Sequence, residues 1–321
     1  MRIGPQVSPK LRDPGSAVFL VLNVTKGELL LSSTLVSAIM LVAVSASFLH
    51  AQQPKPTARA IVEEIKKQVG VEWQQDTVDT FKAGSPDTPV TGVAVTMMAT
   101  LDVLERASSR GLNFVITHEP TFYAHLDTPE GMPENDPVWA EKRVFIEKHN
   151  MVVWRFHDHW HMRQPDGIEA GVVHDLKWEK FQTPDNQYLF VLPETTLQKL
   201  AEEVASKLHS PVVRVVGKSE MKVTKVGLSP GAAGFERETH ALERDDVQVL
   251  MVGETREWET VEYAADAVTE HRRKALIVIG HIPSEQPGME ECSRWLKAFV
   301  KDVPIEFVPT QQPFWTVSEK K

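Results

Sequence analysis

VTGVAVTMMATLDVLERASSRGLNFVITHEP, residues 90–120, decides the fold class. VTGVAVTMM is an apolar, β-branched run that reads as a strand. LDVLERASS has its apolar residues at helical spacing and is closed by Gly111, and FVIT is a second short strand. Strand, helix and strand in so few residues make a β-α-β unit, which demands parallel strands and a right-handed crossover. Open sheets of this kind present their ligand chemistry at the carboxyl ends of strands. This one ends on His118-Glu119-Pro120.

Working outward, two more β-branched runs finish on histidine: MVVWRFH at His157 and ALIVIGH at His281. Upstream, PTARAIVEEIKKQVG places Ala60, Ile61, Ile65 and Val69 at helical spacing. Downstream, residues 126–137 read as an acidic surface loop and PVWAEKRVFIEKHN as a helix before the strand MVVWRF. Residues 164–187 look like an insertion or crossover. Then come the strand YLFVLP, the helix ETTLQKLAEEVASKLH with Thr195 or Thr196 to cap it, and the strand VVRVVG. A further strand, KVTKVGLS, runs into the glycine-rich PGAAG. DVQVLMVGE, WETVEYAADAVTEHRRK and ALIVIG continue as strand, helix and strand, and a helix around EECSRWLKAFV precedes the strand IEFVP. Both halves alternate in the same way. The expectation is an α/β protein of two related lobes, about 58–175 and 188–315, with mixed or mostly parallel sheets around a shared metal-binding cleft.

The 321 residues are 42% hydrophobic and 25% charged, ordinary for a globular chain. The amino-terminal part is different. Lys26 precedes ELLLSSTLVSAIMLVAVSASFLHA, uncharged after Glu28 and ending in small residues before QQPKP. That is the layout of a signal peptide over residues 1–51, preceded by an upstream extension, with cleavage after Ala51 or near Ala46. The length of the apolar part also suits an uncleaved anchor. The expected destination is therefore export, periplasmic or secreted, with a membrane partner only if the leader is retained. Net charge is −9, and about −11 once residues 1–51 are removed. Such an acidic protein is a poor match for nucleic acid. Cys292 is the only cysteine, so no intrachain disulfide forms, and its setting in ECSRWLKAF reads as helix core.

At the turn after FVIT, His118 and Glu119 can both reach a cleft. In HDHWH, an extended backbone would place His157, His159 and His161 on one side, a comb of ligands, with Asp158 and Trp160 on the other. Any of the three can serve as ligand, as general base or as donor to a ligand. His281 and Glu285 lie four apart and share a face if a helix starts there, with Ser284 as its N-cap and Pro287 in its first turn. Mixed imidazole and carboxylate donors at three strand ends point to a metal site for more than one ion. SPGAAG, residues 229–234, offers backbone N–H groups to an anion or is simply a tight turn. His149 and His271 read as helix C-terminal cations and His209 and His240 as surface, while His125 and His174 stay open. Trp258 and Trp295 read as core, and Trp154 and Trp160 as pocket walls.

Taken together, the segment from AGSPDTP to THEP, then HDHWH, VGLSPGAAG and VIGHIPSE resemble the Nif-three-like family of dinuclear metal-centre, hexameric proteins. Some of its members are catalogued as type-two GTP cyclohydrolases. The likeness spans about residues 58–315, and Gly-His followed by Ser-Glu is its most specific motif. It implies a metal-ligand set of His118, Glu119, His161, His281 and Glu285, with His157 and His159 close by as catalytic groups. Where the family has His-His-Pro this chain has His118-Glu119-Pro120, and where it has an Asp ligand this chain has His161. The resemblance further implies two divalent ions per chain, Zn, Fe or Mn, and a toroidal homo-hexamer. The function expected is a metal-dependent hydrolase of a small substrate such as a phosphoester, amide or cyclic amidine. The alternative is a non-catalytic exported metal-binding or ring-shaped scaffold protein.

Overall fold

The computed structural model describes residues 55–128 and 135–317. The leader expectation and part of the acidic loop lie outside the described residues. Among the described residues no helix is long and apolar enough to cross a membrane.

The deciding stretch folds as read: β2 (Val93–Thr96), α2 (Leu101–Ser109) and β3 (Phe114–Thr117). Thr100 starts α2 by accepting the Val103 N–H at 3.2 Å. After α3 (Pro137–Lys148), β4 (Val152–Arg155) pairs in parallel with β3. Ahead of them α1 (Ala58–Gln68) leads to β1 (Phe81–Ala83), which lies antiparallel on β4. Alternation then sorts the sheet's two faces. Val93, Val95, Phe114, Ile116, Val152 and Trp154 pack with Ile61 and Ile65 of α1 on one side. Ala94, Val115 and Val153 pack with Val103, Leu104 and Ala107 of α2 on the other. Burial on both faces is why these strands are continuously apolar.

The second sheet is mixed. β8 (Lys222–Ser229), β9 (Val249–Val252) and β10 (Ala275–Val278) are parallel. β6 (Asn186–Thr196) and the short β5 (Gln182–Thr183) extend one side and β7 (Arg214–Val216) the other, all antiparallel. α6 (Leu197–Lys207), capped by Thr196, covers one face; α7 (Phe235–Glu243) and α8 (Glu262–Thr269) cover the other.

Several elements depart from the sequence reading: α7 and the short β1 and β5 are absent from it, and four others differ as follows. HDHWH is not extended: α4 (Asp158–Met162) is a single helical turn. Its cause is Asp79, whose carboxylate accepts the backbone N–H groups of His157, Asp158 and His159 at 2.6, 3.0 and 2.9 Å. Residues 164–187 contain a helix, α5 (Gly167–Leu176), hidden in the sequence by its two glycines. Gly171 is required there, because a Cβ would meet the backbone of Pro287 and Gly288 on α9 (His281–Leu296). That helix is capped by Gly280; Ser284 lies inside its first turn and Pro287 further along. Finally, the second lobe does not run to residue 315. After β10 the chain returns, α9 buries Ile282, Met289, Cys292 and Leu296 in the first sheet's core, and β11 (Ile305–Phe307) pairs in parallel with β2. The open edge of β2 supplies the backbone partners that β11 takes.

The tryptophans also differ. Trp258 is 71% exposed, whereas Trp154 and Trp160 are buried in the first core, where Trp160 packs at a tilt against Phe156 and Trp295 and donates to the Gly288 carbonyl.

Candidate metal centre

The carboxyl ends of β3 and β4 and the start of α9 meet at one point. His118 and Glu119 follow β3 directly. His157 and His161, four apart, project from the first turn after β4, and His281 and Glu285, also four apart, open α9. Two groups form in which one ligand atom per residue lies within 4.8 Å of the others: His118, His157 and His161, and His118, Glu119 and Glu285. They share His118. His281 joins through Nε2, which is 2.9 Å from Glu285 and 3.2 Å from Glu119. The residues present could therefore hold a metal ion.

The orientation of the imidazoles matters most. His118 Nδ1 donates to the Phe156 carbonyl at 3.1 Å, which leaves its Nε2 as a bare lone pair. That Nε2 is buried without a hydrogen-bond partner and lies 3.6 Å from Glu285. His157 Nδ1 is held by Asp158 at 2.8 Å, His161 Nδ1 by Asp166 at 2.9 Å, and His281 Nδ1 faces Glu254 at 3.5 Å. An oxygen on Nδ1 fixes the ring and leaves Nε2 for the centre, the usual support of a metal-ligating histidine. Arg155, fully buried, holds the loop by donating to the His118 and His125 carbonyls and by reaching Glu119 at 3.5 Å.

The charge states follow from this crowding. Burial and then the neighbouring His157 and His161 hold the His118 imidazole well below its ordinary range, so it is neutral. Burial works against the charged form of His281, but Glu119, Glu254 and Glu285 outweigh it and raise its pKa to about 12. The His157 hydrogen bond, with help from Thr77 and the Val78 N–H, holds Asp158 well below the carboxylate range.

Of the residues proposed from sequence, His118, Glu119, His157, His161, His281 and Glu285 are brought together. His159 is not. It points to the opposite side of the turn, fully buried, stacked on Trp73 at 3.6 Å, with Nδ1 on Asp79 at 2.7 Å and Nε2 accepting from the Gln74 N–H at 2.8 Å. Both nitrogens are occupied, so it holds structure and is no free base. Sequence reasoning missed Asp79, Asp158, Asp166 and Glu254, which steady the rings. Asp158 and Asp166 were readable as acids beside histidines; Asp79, far away in the chain, carried no signal. The glycine-rich run is a tight turn that serves the site: the Gly231 N–H donates to Ser284 Oγ at 3.0 Å. With φ of +69°, Gly231 lies so close that a Cβ would collide with Glu285 Oε1.

A family model described as Duf34/NIF3 (NGG1p interacting factor 3) matches residues 57–313, which contain every residue of the cluster. The chain belongs to the Duf34/NIF3 family. A "GTP cyclohydrolase 1 type 2 homolog" from Chlamydia muridarum is 21% identical over 240 residues, covering 73% of this chain and 90% of that protein. Among solved structures, a Bacillus cereus protein related to NIF3 superposes with TM-score 0.65 at 14% identity over 83% of this chain and 100% of that one. A Staphylococcus aureus hypothetical protein gives 0.64 at 16% identity, covering 82% and 100%. These likenesses place the present fold, two mixed α/β sheets, among NIF3 structures.

Proposed function

We propose that the cluster is a dinuclear centre for divalent transition-metal ions and that the protein is a hydrolase acting on a small substrate. One observation carries the reading. His118, His157 and His161 each have Nδ1 on an oxygen and Nε2 left for the shared centre, His281 has Nδ1 facing Glu254 and Nε2 against Glu119 and Glu285, and the His118 Nε2 is buried with no partner. A partnerless buried nitrogen is costly, and a divalent cation is the partner its lone pair fits. Four imidazoles and two carboxylates exceed what a single tetrahedral ion takes, which supports two ions. The donor set suits Zn, Fe or Mn. Bound there, such ions polarise a substrate oxygen and make water acidic enough to attack near neutral pH.

The chain's own groups have separate tasks. Phe156, Asp158, Asp166 and Glu254 fix the imidazole rings, and Arg155 orients Glu119. Glu254, with a side chain 56% exposed, is the most solvent-open of these carboxylates and so the group best placed to exchange a proton there. The signal-like leader supports export, and the family resemblance supports a homo-hexameric ring.

Elemental analysis of purified wild type and Glu285→Gln tests the centre. The expected result is about two transition-metal equivalents per chain, falling in the variant. Less than half an equivalent in fully loaded wild type would overturn it. Two equivalents without turnover of phosphoesters, amides or cyclic amidines would leave a metal-binding or scaffold protein.

A further inference from the structure

A cavity of about 260 Å³ opens beside the metal cluster and runs along the second sheet. One end is formed by His161 and Asp166, the latter also accepting from the Tyr188 hydroxyl at 3.2 Å. Leu189, Leu228, Leu250 and Ala233 make an apolar middle. Another wall is the face of α7 that carries Arg237, His240 and Ala241, with Arg244 just past the end of that helix. The spacing i, i+3, i+4 puts the first three on one helical stripe. The lining thus combines residues of the ligand cluster, an apolar wall and cations. In a chain of net charge −9, such a cationic wall is a local reversal of sign.

We propose that this cavity is the substrate groove and that the substrate is a small molecule with an apolar or planar body and an oxyanion terminus, a phosphate or carboxylate, held by Arg237. The placement of the scissile group at the metal end rests on the hydrolase reading; the oxyanion end does not. Arg244 is already held by Asp246 at 2.7 and 2.8 Å. Arg237 makes no ion pair with a carboxylate among the described residues, and its planar fork is left to bind an oxyanion through two N–H groups. The backbone N–H groups at the start of α7 are not the anion site, because Glu236 and Glu238 occupy that first turn. His240 adds a third nitrogen on the same stripe. The volume suits a compact organic ligand.

The test separates the two ends. Metal-chelated full-length protein is titrated with inorganic phosphate and with acetate by calorimetry, as wild type, Arg237→Ala and Arg237→Lys. Saturable binding that weakens about tenfold in Arg237→Ala and is partly restored in Arg237→Lys supports the oxyanion end, and the stronger of the two anions names the terminus. Equal binding by wild type and Arg237→Ala, or none by folded wild type, overturns it. In metal-loaded protein, Arg237→Ala should raise KM about tenfold for an aryl ester bearing a terminal carboxylate or phosphate, with kcat unchanged. It should leave a neutral aryl ester unaffected. A KM increase equal for both esters would overturn the groove. Phosphate binding intact with no turnover of any ester, amide or cyclic amidine would sink the hydrolase reading and leave the oxyanion site standing.

Discussion

The two sheets end alike and contribute differently. The parallel strands of the first sheet finish on side chains: His118 and Glu119 after β3, His157 after β4. Those of the second pass through glycines first, Gly231 after β8, Gly253 after β9 and Gly280 after β10, before Glu254 and the His281 and Glu285 of α9 follow; at Gly231 the chain comes close enough to exclude a Cβ and fix Ser284 and Glu285. The first sheet sets its donors directly at strand ends, whereas the second delivers its own through α9 and adds the backbone wall against which they are set. Burying several histidines and acids at one place takes both, since donors without a close-fitting wall would be hydrated and mobile.

The sharpest way to break this contrast is at Asp79. Asp79→Ala removes the buried carboxylate that holds three backbone N–H groups and the buried His159 ring. We expect a loss of about 3–5 kcal/mol in denaturant unfolding together with loss of metal. A variant that unfolds like wild type would show that the 157–161 turn does not depend on it. On the second sheet, Gly231→Ala should cost about 1–3 kcal/mol and lower metal content by displacing Glu285, even though no donor has been removed. Retention of full metal would refute the wall.

The contrast also runs within one helical turn. His159→Phe should lose about 1–3 kcal/mol and keep its metal, whereas His161→Phe should lose metal with little change in the metal-free unfolding midpoint. Exchange of those outcomes would reverse the assigned sides. The smallest effect concerns Glu169 on α5. Burial, then the neighbouring Asp166, raises its pKa to about 8, and its Oε2 has no partner. A raised carboxylate pKa means the folded state holds a proton that the unfolded chain has released. Stability therefore falls as pH rises from about 4.5 to about 8. Glu169→Gln should be more stable than wild type at pH 8 by on the order of 1 kcal/mol, with the gap closing toward pH 5. Parallel pH curves for the two proteins would contradict this.

Much of this was legible. Apolar runs and the Gly111 stop gave the β-α-β unit, and strand-end placement gave His118, Glu119, His281 and Glu285. HDHWH misled because alternation and a single helical turn both group His157 with His161. Only Asp79, about eighty residues away, decides for the turn and sends His159 to the other side. Gly167 and Gly171 lowered the apparent helix character of α5, although close packing on α9 is what requires Gly171. Nothing in IEFVP says which sheet it joins. The helix carrying Arg237 and His240 was passed over in the sequence, where His240 read only as surface, and its stripe acquires meaning only beside a cavity.

The return of β11 to the first sheet has a consequence for biogenesis. Val93–Val95 are among the early strands synthesised, and their partner Ile305–Phe307 is among the last. Until the chain is nearly complete, β2 is an unprotected edge and α9, with His281 and Glu285, has no seat. The nascent protein thus exposes at most the His118 and His157 side of the centre while it is being made. Under the proposed metal reading, metal capture would be the closing act of folding, and a chain stopped before residue 305 would present a sticky edge to chaperones and proteases.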